Sequence, residues 1–93
     1  MYIGRISQPT EELYQAMQCL IPQMGKHKIP PTREELAALL NTEGAIQVIA
    51  RQPDETGEIV GLLTLTIYRV PTGLRSIVED VVVDEHKIGR AHV

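Results

Sequence analysis

Two stretches decide the architecture: Ile59-Val60-Gly61-Leu62-Leu63-Thr64-Leu65-Thr66-Ile67-Tyr68 and, after the turn Pro71-Thr72-Gly73, Ser76-Ile77-Val78-Glu79-Asp80-Val81-Val82-Val83. Both are rich in β-branched residues and bounded by turn formers, the pattern of strands. In the first, Leu63, Leu65 and Ile67 alternate with Thr64, Thr66 and Tyr68. In the second, Val78 and Val82 share a face with Asp80, while Ile77, Val81 and Val83 share the other with Glu79. Strict alternation therefore predicts that Glu79 and Asp80 point to opposite faces of the sheet. A Pro-Thr-Gly turn is too short for a crossover, so the two strands are antiparallel neighbours.

Upstream, Ala45 to Arg51 alternates in the same way, with Ile46, Val48 and Ala50 on one face and Gln47 and Arg51 on the other. Pro53-Asp54-Glu55-Thr56-Gly57 has the chemistry of a turn and joins this strand to the next. The three strands form an antiparallel meander. Before them the periodicity is helical. Thr32 followed by Glu35, with Pro31 just ahead, is a capping-box pattern that starts a helix bearing Leu36, Leu39 and Leu40. Its end falls around Asn41 to Gly44, where Gly44 suits a left-handed exit. An earlier helix begins near Pro9-Thr10-Glu11-Glu12, capped by Thr10 or Ser7, and carries Leu13, Ala16, Met17 and Leu20 on one face. Pro22 ends or kinks it near Ile21. Gly25 to Pro31 is a linker, and Tyr2 to Ser7 reads as a brief edge strand. The order is strand, helix, helix, then three strands: an α+β layer whose two helices cover one face of the sheet.

Ninety-three residues make at most one domain, and 43% apolar residues suffice for a core. A net charge of -3 with scattered Lys and Arg argues against nucleic acid as a partner. Cys19 has no partner for a disulfide and no metal-ligand spacing around it. The start lacks a signal-peptide core, and no apolar run reaches membrane-spanning length. A cytoplasmic protein, with no membrane and no metal, is the expectation.

The order of elements and several of their residues resemble the GNAT acyltransferases. Gly57-Glu58-Ile59-Val60-Gly61 resembles that family's "G-x-I-V-G" third strand. Ser76-Ile77-Val78-Glu79-Asp80-Val81-Val82-Val83-Asp84-Glu85 resembles the fourth strand, which in one of its branches reads "I-E-D-V-V-V-D". Ile21-Pro22-Gln23 and Pro31-Thr32-x-x-Glu35-Leu36 also look like that branch. The resemblance covers residues 1–86 and implies a partial GNAT acetyltransferase domain, an N-terminal half.

It further implies an N-acetyltransferase that moves an acetyl group from acetyl-CoA directly to a primary amine on a small molecule or peptide, and it allows a homodimer for the intact protein. Val81, Val82 and Val83 are the implied cofactor-binding residues, their backbone pairing with the pantetheine arm as a further strand would. The plain alternative is a core strand, and both hold together if side chains pack while backbone binds. A fourth-strand carboxylate often serves as base; Glu79 is the candidate, against the simpler reading of a solvated strand residue. The family's usual acid, a downstream Tyr, has no match in Tyr14 or Tyr68. His27 and His86 read as surface residues and Asp84-Glu85 as the turn that ends the strand; Arg69 and Arg75, which flank the Pro-Thr-Gly turn, suit an acidic acceptor or a solvated hairpin equally.

The family's next motif, R/Q-x-x-G-x-G/A, binds pyrophosphate through backbone N–H groups at a helix start. Here the sequence departs. After Asp84-Glu85 it reads His86-Lys87-Ile88-Gly89-Arg90-Ala91-His92-Val93, with a single Gly. Ile88 to Ala91 resembles the "G-I-G-R-A-L" that opens the family's following helix. The whole of Ile88 to Val93 also matches one reading frame of a common short-read sequencing adapter. The favoured expectation is that residues 87–93 are a non-native tail and that the chain alone is inactive, binds acetyl-CoA unmeasurably and is prone to aggregate. The alternative to an enzyme is a non-catalytic interaction fragment that offers an exposed strand edge to another chain.

Overall fold

The computed structural model describes residues 1–87. The chain runs β1 (Tyr2–Ile6), α1 (Glu11–Leu20), a 3₁₀ turn (Ile21–Met24), α2 (Arg33–Leu40), β2 (Ala45–Gln52), β3 (Glu58–Val70) and β4 (Gly73–Val83). This is the expected α+β order: a strand, two helices and an antiparallel meander. The strands form one antiparallel sheet in the order β1-β2-β3-β4, so β1 and β4 are its edges among the described residues. Ile88 to Val93, where both readings of the tail fall, lies outside the described residues.

Local chemistry accounts for the helix limits. Thr10 caps α1, its Oγ1 accepting from the Leu13 N–H at 3.1 Å, while Glu11 and Glu12 occupy the first turn, where the helix dipole favours negative charge. Pro22 has no N–H to donate, and the α-helix gives way to the 3₁₀ turn at Ile21. At α2 both halves of the capping box form: the Glu35 N–H donates to Thr32 Oγ1 at 3.1 Å, and the Thr32 N–H donates to Glu35 Oε1 at 2.9 Å. Gly44, at φ 87°, then turns the chain into β2. A Cβ there would strike the Ile67 carbonyl, so only glycine fits.

Leu13, Met17 and Leu20 of α1 and Leu36 of α2 pack on Ile49, Ile59, Leu62 and Val82 of the sheet. Full burial of each such side chain contributes about 1.5–3 kcal/mol before chain entropy is charged against it. Both helices lie on this one face. Ile3, Val48, Ala50, Leu63, Val81 and Val83 line the opposite face, which no element among the described residues covers.

Two details depart from simple alternation. The helices cover the Gln47 and Ile49 side of β2, not the side bearing Ile46, Val48 and Ala50, and Gln47 is only 2% exposed. It is buried at no cost in lost hydrogen bonds, because its Nε2 donates to the Leu63 carbonyl at 3.2 Å and its Oε1 accepts from Thr64 Oγ1 at 2.9 Å.

In β4 the register shifts: Val82 opposes Leu62, but Glu79 opposes Thr64. Asp80 and Val81 together face Leu63, a bulge made by Asp80 at φ 51°. Asp tolerates this left-handed conformation better than a branched residue because its short polar side chain crowds the backbone less. The alternation predicted for β4 therefore breaks at Asp80. Glu79 and Ile77, across from Thr64 and Thr66, thus lie on the helix side together with Asp80 and Val82, and Val78 moves to the bare side with Val81 and Val83.

Candidate functional site

On the helix side, a cleft of about 250 Å³ opens between the helical layer and the middle of the sheet. Met17 and Ile21 form one wall and Leu39 another; Ile29 stands at the mouth and Leu62 on the floor. The linker that brings Ile29 here is fastened by Gln18, whose Nε2 donates to the Pro31 carbonyl at 2.9 Å. Four polar side chains join these apolar ones: Glu35, Gln47, Thr64 and Asp80. Gln47 and Thr64 are already bonded to each other and to β3, so they make a fixed polar floor. Asp80 and Glu35 are exposed carboxylates that bring negative charge to an otherwise apolar hollow. That combination suits a cation carried on a hydrocarbon body.

Beside the cleft runs the edge of β4. Val82 points into the core at 7% exposed, whereas Val81 and Val83, at 55% and 47%, lie on the bare face. The side chains of this segment thus pack to either side of the sheet. Its outward backbone groups have no strand partner among the described residues. Glu79 is exposed, opposite Thr64, and does not line the cleft; Asp80, the next residue, does. The bulge places both carboxylates on the helix side, where unbroken alternation would separate them.

Two ion pairs fasten α1 to its neighbours. Arg51 makes a two-pronged ion pair with Glu12, at 2.7 and 2.8 Å, and donates to the Gly57 carbonyl at 2.9 Å, tying α1 to the β2–β3 turn. The hydrogen bonds from Arg51 hold the Glu12 carboxyl below its ordinary value. Arg33 does the same to Glu11 and lies 4.0 Å over the Tyr14 ring, joining α2 to α1. Tyr14 is therefore a packing residue, and Tyr68, His27 and His86 are exposed. Among the described residues, no group of three His, Cys, Asp or Glu is placed to hold a metal ion, and no helix is long and apolar enough to cross a membrane.

No family model matches the chain, and no curated protein matches it in sequence. Solved structures do match. A ribosomal-protein-alanine N-acetyltransferase from Brucella melitensis biovar Abortus 2308 has a TM-score of 0.71 at 21% identity, over 96% of this chain and 64% of its own. An aminoglycoside acetyltransferase from an uncultured soil metagenomic sample, in complex with sisomicin, has a TM-score of 0.70 at 21% identity, over 91% of this chain and 57% of its own. A Trypanosoma brucei acetyltransferase has a TM-score of 0.63 at 24% identity, over 94% and 62%. The chain has the N-terminal part of the GNAT fold.

It spans less than two thirds of the length of each of these three proteins. In GNAT terms β4 is the fourth strand, and Val81 to Val83 lie at its C-terminal end on the edge of the sheet. Sequence reading named Val81 to Val83 and Glu79 as candidates. It missed the cleft, because Gln47, Thr64 and Asp80 meet only through the register of β2, β3 and β4. The one signal for Asp80 was its chemistry: an aspartate is among the residues best suited to an αL bulge within a strand.

Proposed function

We propose that this chain carries the acceptor cleft and the pantetheine edge of an acetyl-CoA-dependent N-acetyltransferase that acts on a primary amine by direct transfer. The observation that carries the proposal is the bulge at Asp80, which sets a carboxylate-bearing cleft beside an unpaired strand edge. Acetyl-CoA, when bound, supplies the acetyl thioester. The backbone of Val81, Val82 and Val83 holds its pantetheine arm along the edge of β4. Asp80 and Glu35 receive the ammonium form of the acceptor, and Met17, Ile21, Ile29 and Leu39 hold its hydrocarbon body. Glu79 stands at the rim as the candidate that takes the proton once the amine is seated, with Asp80 as its rival for that role. Acceptors of this site are amines with an apolar portion of a few carbons, because the walls give an all-polar molecule little to pack against.

Two titrations of the 93-residue chain, followed by amide chemical shifts, test these parts separately. Pantetheine, which needs no pyrophosphate loop, is expected to shift Val81 to Val83 at millimolar concentration. Hexylamine is expected to shift Thr64 and Asp80, with hexanol at least several-fold weaker and D80N weakened far more than E79Q. Pantetheine shifts scattered over the molecule, or hexanol binding as well as hexylamine, would overturn the corresponding half. Non-catalytic pairing of the β4 edge with another chain is the second reading, favoured by the exposure of Val78, Val81 and Val83. Concentration-dependent broadening confined to β4 in the ligand-free protein supports it.

A further inference from the structure

The point where β4 ends is held by a residue from the other end of the chain. Gln23, in the 3₁₀ turn, accepts from the Glu85 N–H through Oε1 at 2.9 Å and donates from Nε2 to Asp84 Oδ1 at 3.4 Å. The same Nε2 reaches the Cys19 carbonyl at 3.3 Å, which fixes the side chain against the last turn of α1. Asp84 is itself 8% exposed. Its N–H donates to the Val60 carbonyl at 2.8 Å, and its Oδ1 accepts from the His86 N–H at 3.0 Å. Within residues 84–87 the chain turns out of the sheet, and the Lys87 N–H closes the turn on the Asp84 carbonyl at 2.9 Å.

Gln23 therefore spans two structures. Two residues earlier Ile21 forms a wall of the cleft, and the atoms Gln23 grips follow directly on Val81 to Val83. Edge strands tend to fray where pairing ends on one side only. β4 loses its pairing with β3 near Val83, the residue opposite Gly61.

We infer that Gln23 is a positioning residue: it sets the end of β4, and so the pantetheine edge, in fixed relation to the cleft wall carried by Ile21. The inference rests on the proposed function for what the edge binds, and on geometry alone for the clasp. One side chain supplies both a donor and an acceptor to successive residues, which neither Glu nor Met reproduces.

Amide hydrogen exchange and ¹⁵N shifts of the 93-residue chain test it without any ligand. In the unmodified protein the Glu85 amide is expected to be protected at least tenfold over a free peptide. Q23M keeps the packing volume and removes both bonds. It should abolish that protection, shift Val81 to Val83, and leave Leu13, Leu36 and Leu62 protected as before. Q23E places a carboxylate against Asp84 and should release the turn too; Q23E combined with D84N, which removes one of the two charges, should recover it. An unprotected Glu85 amide in the unmodified protein overturns the inference even if every variant fails to fold. Uniform loss of protection across the core in Q23M, or no recovery in Q23E with D84N, assigns Gln23 to general stability and overturns it as well. Pantetheine binding is read in a different experiment, so a broken clasp and a failed acetyltransferase reading give different results.

Discussion

On the helix side of the sheet Ile49, Leu62 and Val82 are 4%, 3% and 7% exposed, whereas Ile3, Val81 and Val83 on the other side are 66%, 55% and 47% exposed. The residue types are the same. The difference lies in where α1 and α2 come to rest, because a strand apolar on both sides offers two equivalent surfaces and each helix has one stripe to bury. Equal hydrophobicity thus carries unequal energetic weight, and substitutions on the two faces separate them.

The largest separation comes from truncation. Leu36→Ala removes a side chain 1% exposed at the centre of the covered face and is expected to cost about 2–5 kcal/mol. In a domain whose whole stability is about 5–15 kcal/mol, its circular dichroism melt shifts far down or loses cooperativity. If Val81→Ala on the bare face costs as much, the contrast fails. Next comes the bulge that sorts β4 residues between faces. Asp80→Val puts a branched side chain at φ 51° and should cost about 1–3 kcal/mol in urea unfolding, with Asp80→Asn close to neutral. Thr32→Ala removes one half of the capping box that seats α2 on its face, for about 1 kcal/mol.

A smaller effect belongs to Glu12, whose ion pair with Arg51 locks α1 over the sheet. Its carboxyl is held below the ordinary value of 4.5, so the folded state binds that proton less readily than the unfolded chain does. The contribution is present above pH 4.5 and is lost as pH falls through the lower folded value. Urea midpoints measured from pH 6 to pH 3 should fall less steeply in Glu12→Gln than in the unmodified chain. Smallest of all, Val81→Thr on the bare face should change stability by under about 0.5 kcal/mol while raising the concentration at which the protein stays monodisperse in light scattering.

Much of this was legible beforehand, because local rules and tertiary structure agree for most of the chain. Thr10, Pro22, the Thr32–Glu35 box, Gly44 and the two turns each mark a boundary through backbone chemistry, and each does so in the folded protein. The burial of Gln47 was not legible, because the Leu63 carbonyl and Thr64 that satisfy it lie on the neighbouring strand. Glu79 and Ile77 were placed on the wrong face because period two assumes an unbroken ladder, and one added residue reverses everything before it. Gln23 stood out only as part of the Ile21-Pro22-Gln23 resemblance, and its contacts gave no signal: its partners are 61 and 62 residues away, a relation with no period.

The added residue at Asp80 also changes what the edge of β4 offers to other molecules. An uninterrupted strand from Gly73 to Val83 would be a long, straight template on which a second polypeptide could register its own backbone. The left-handed step divides it into Gly73–Glu79 and Val81–Val83, whose outward groups no longer fall on one line. A partner long enough to bridge both runs would need a matching irregularity of its own, while something as short as a single extended arm can use the second run alone. The same step that exposes a carboxylate to the cleft thus discriminates by length among the molecules able to lie beside the sheet.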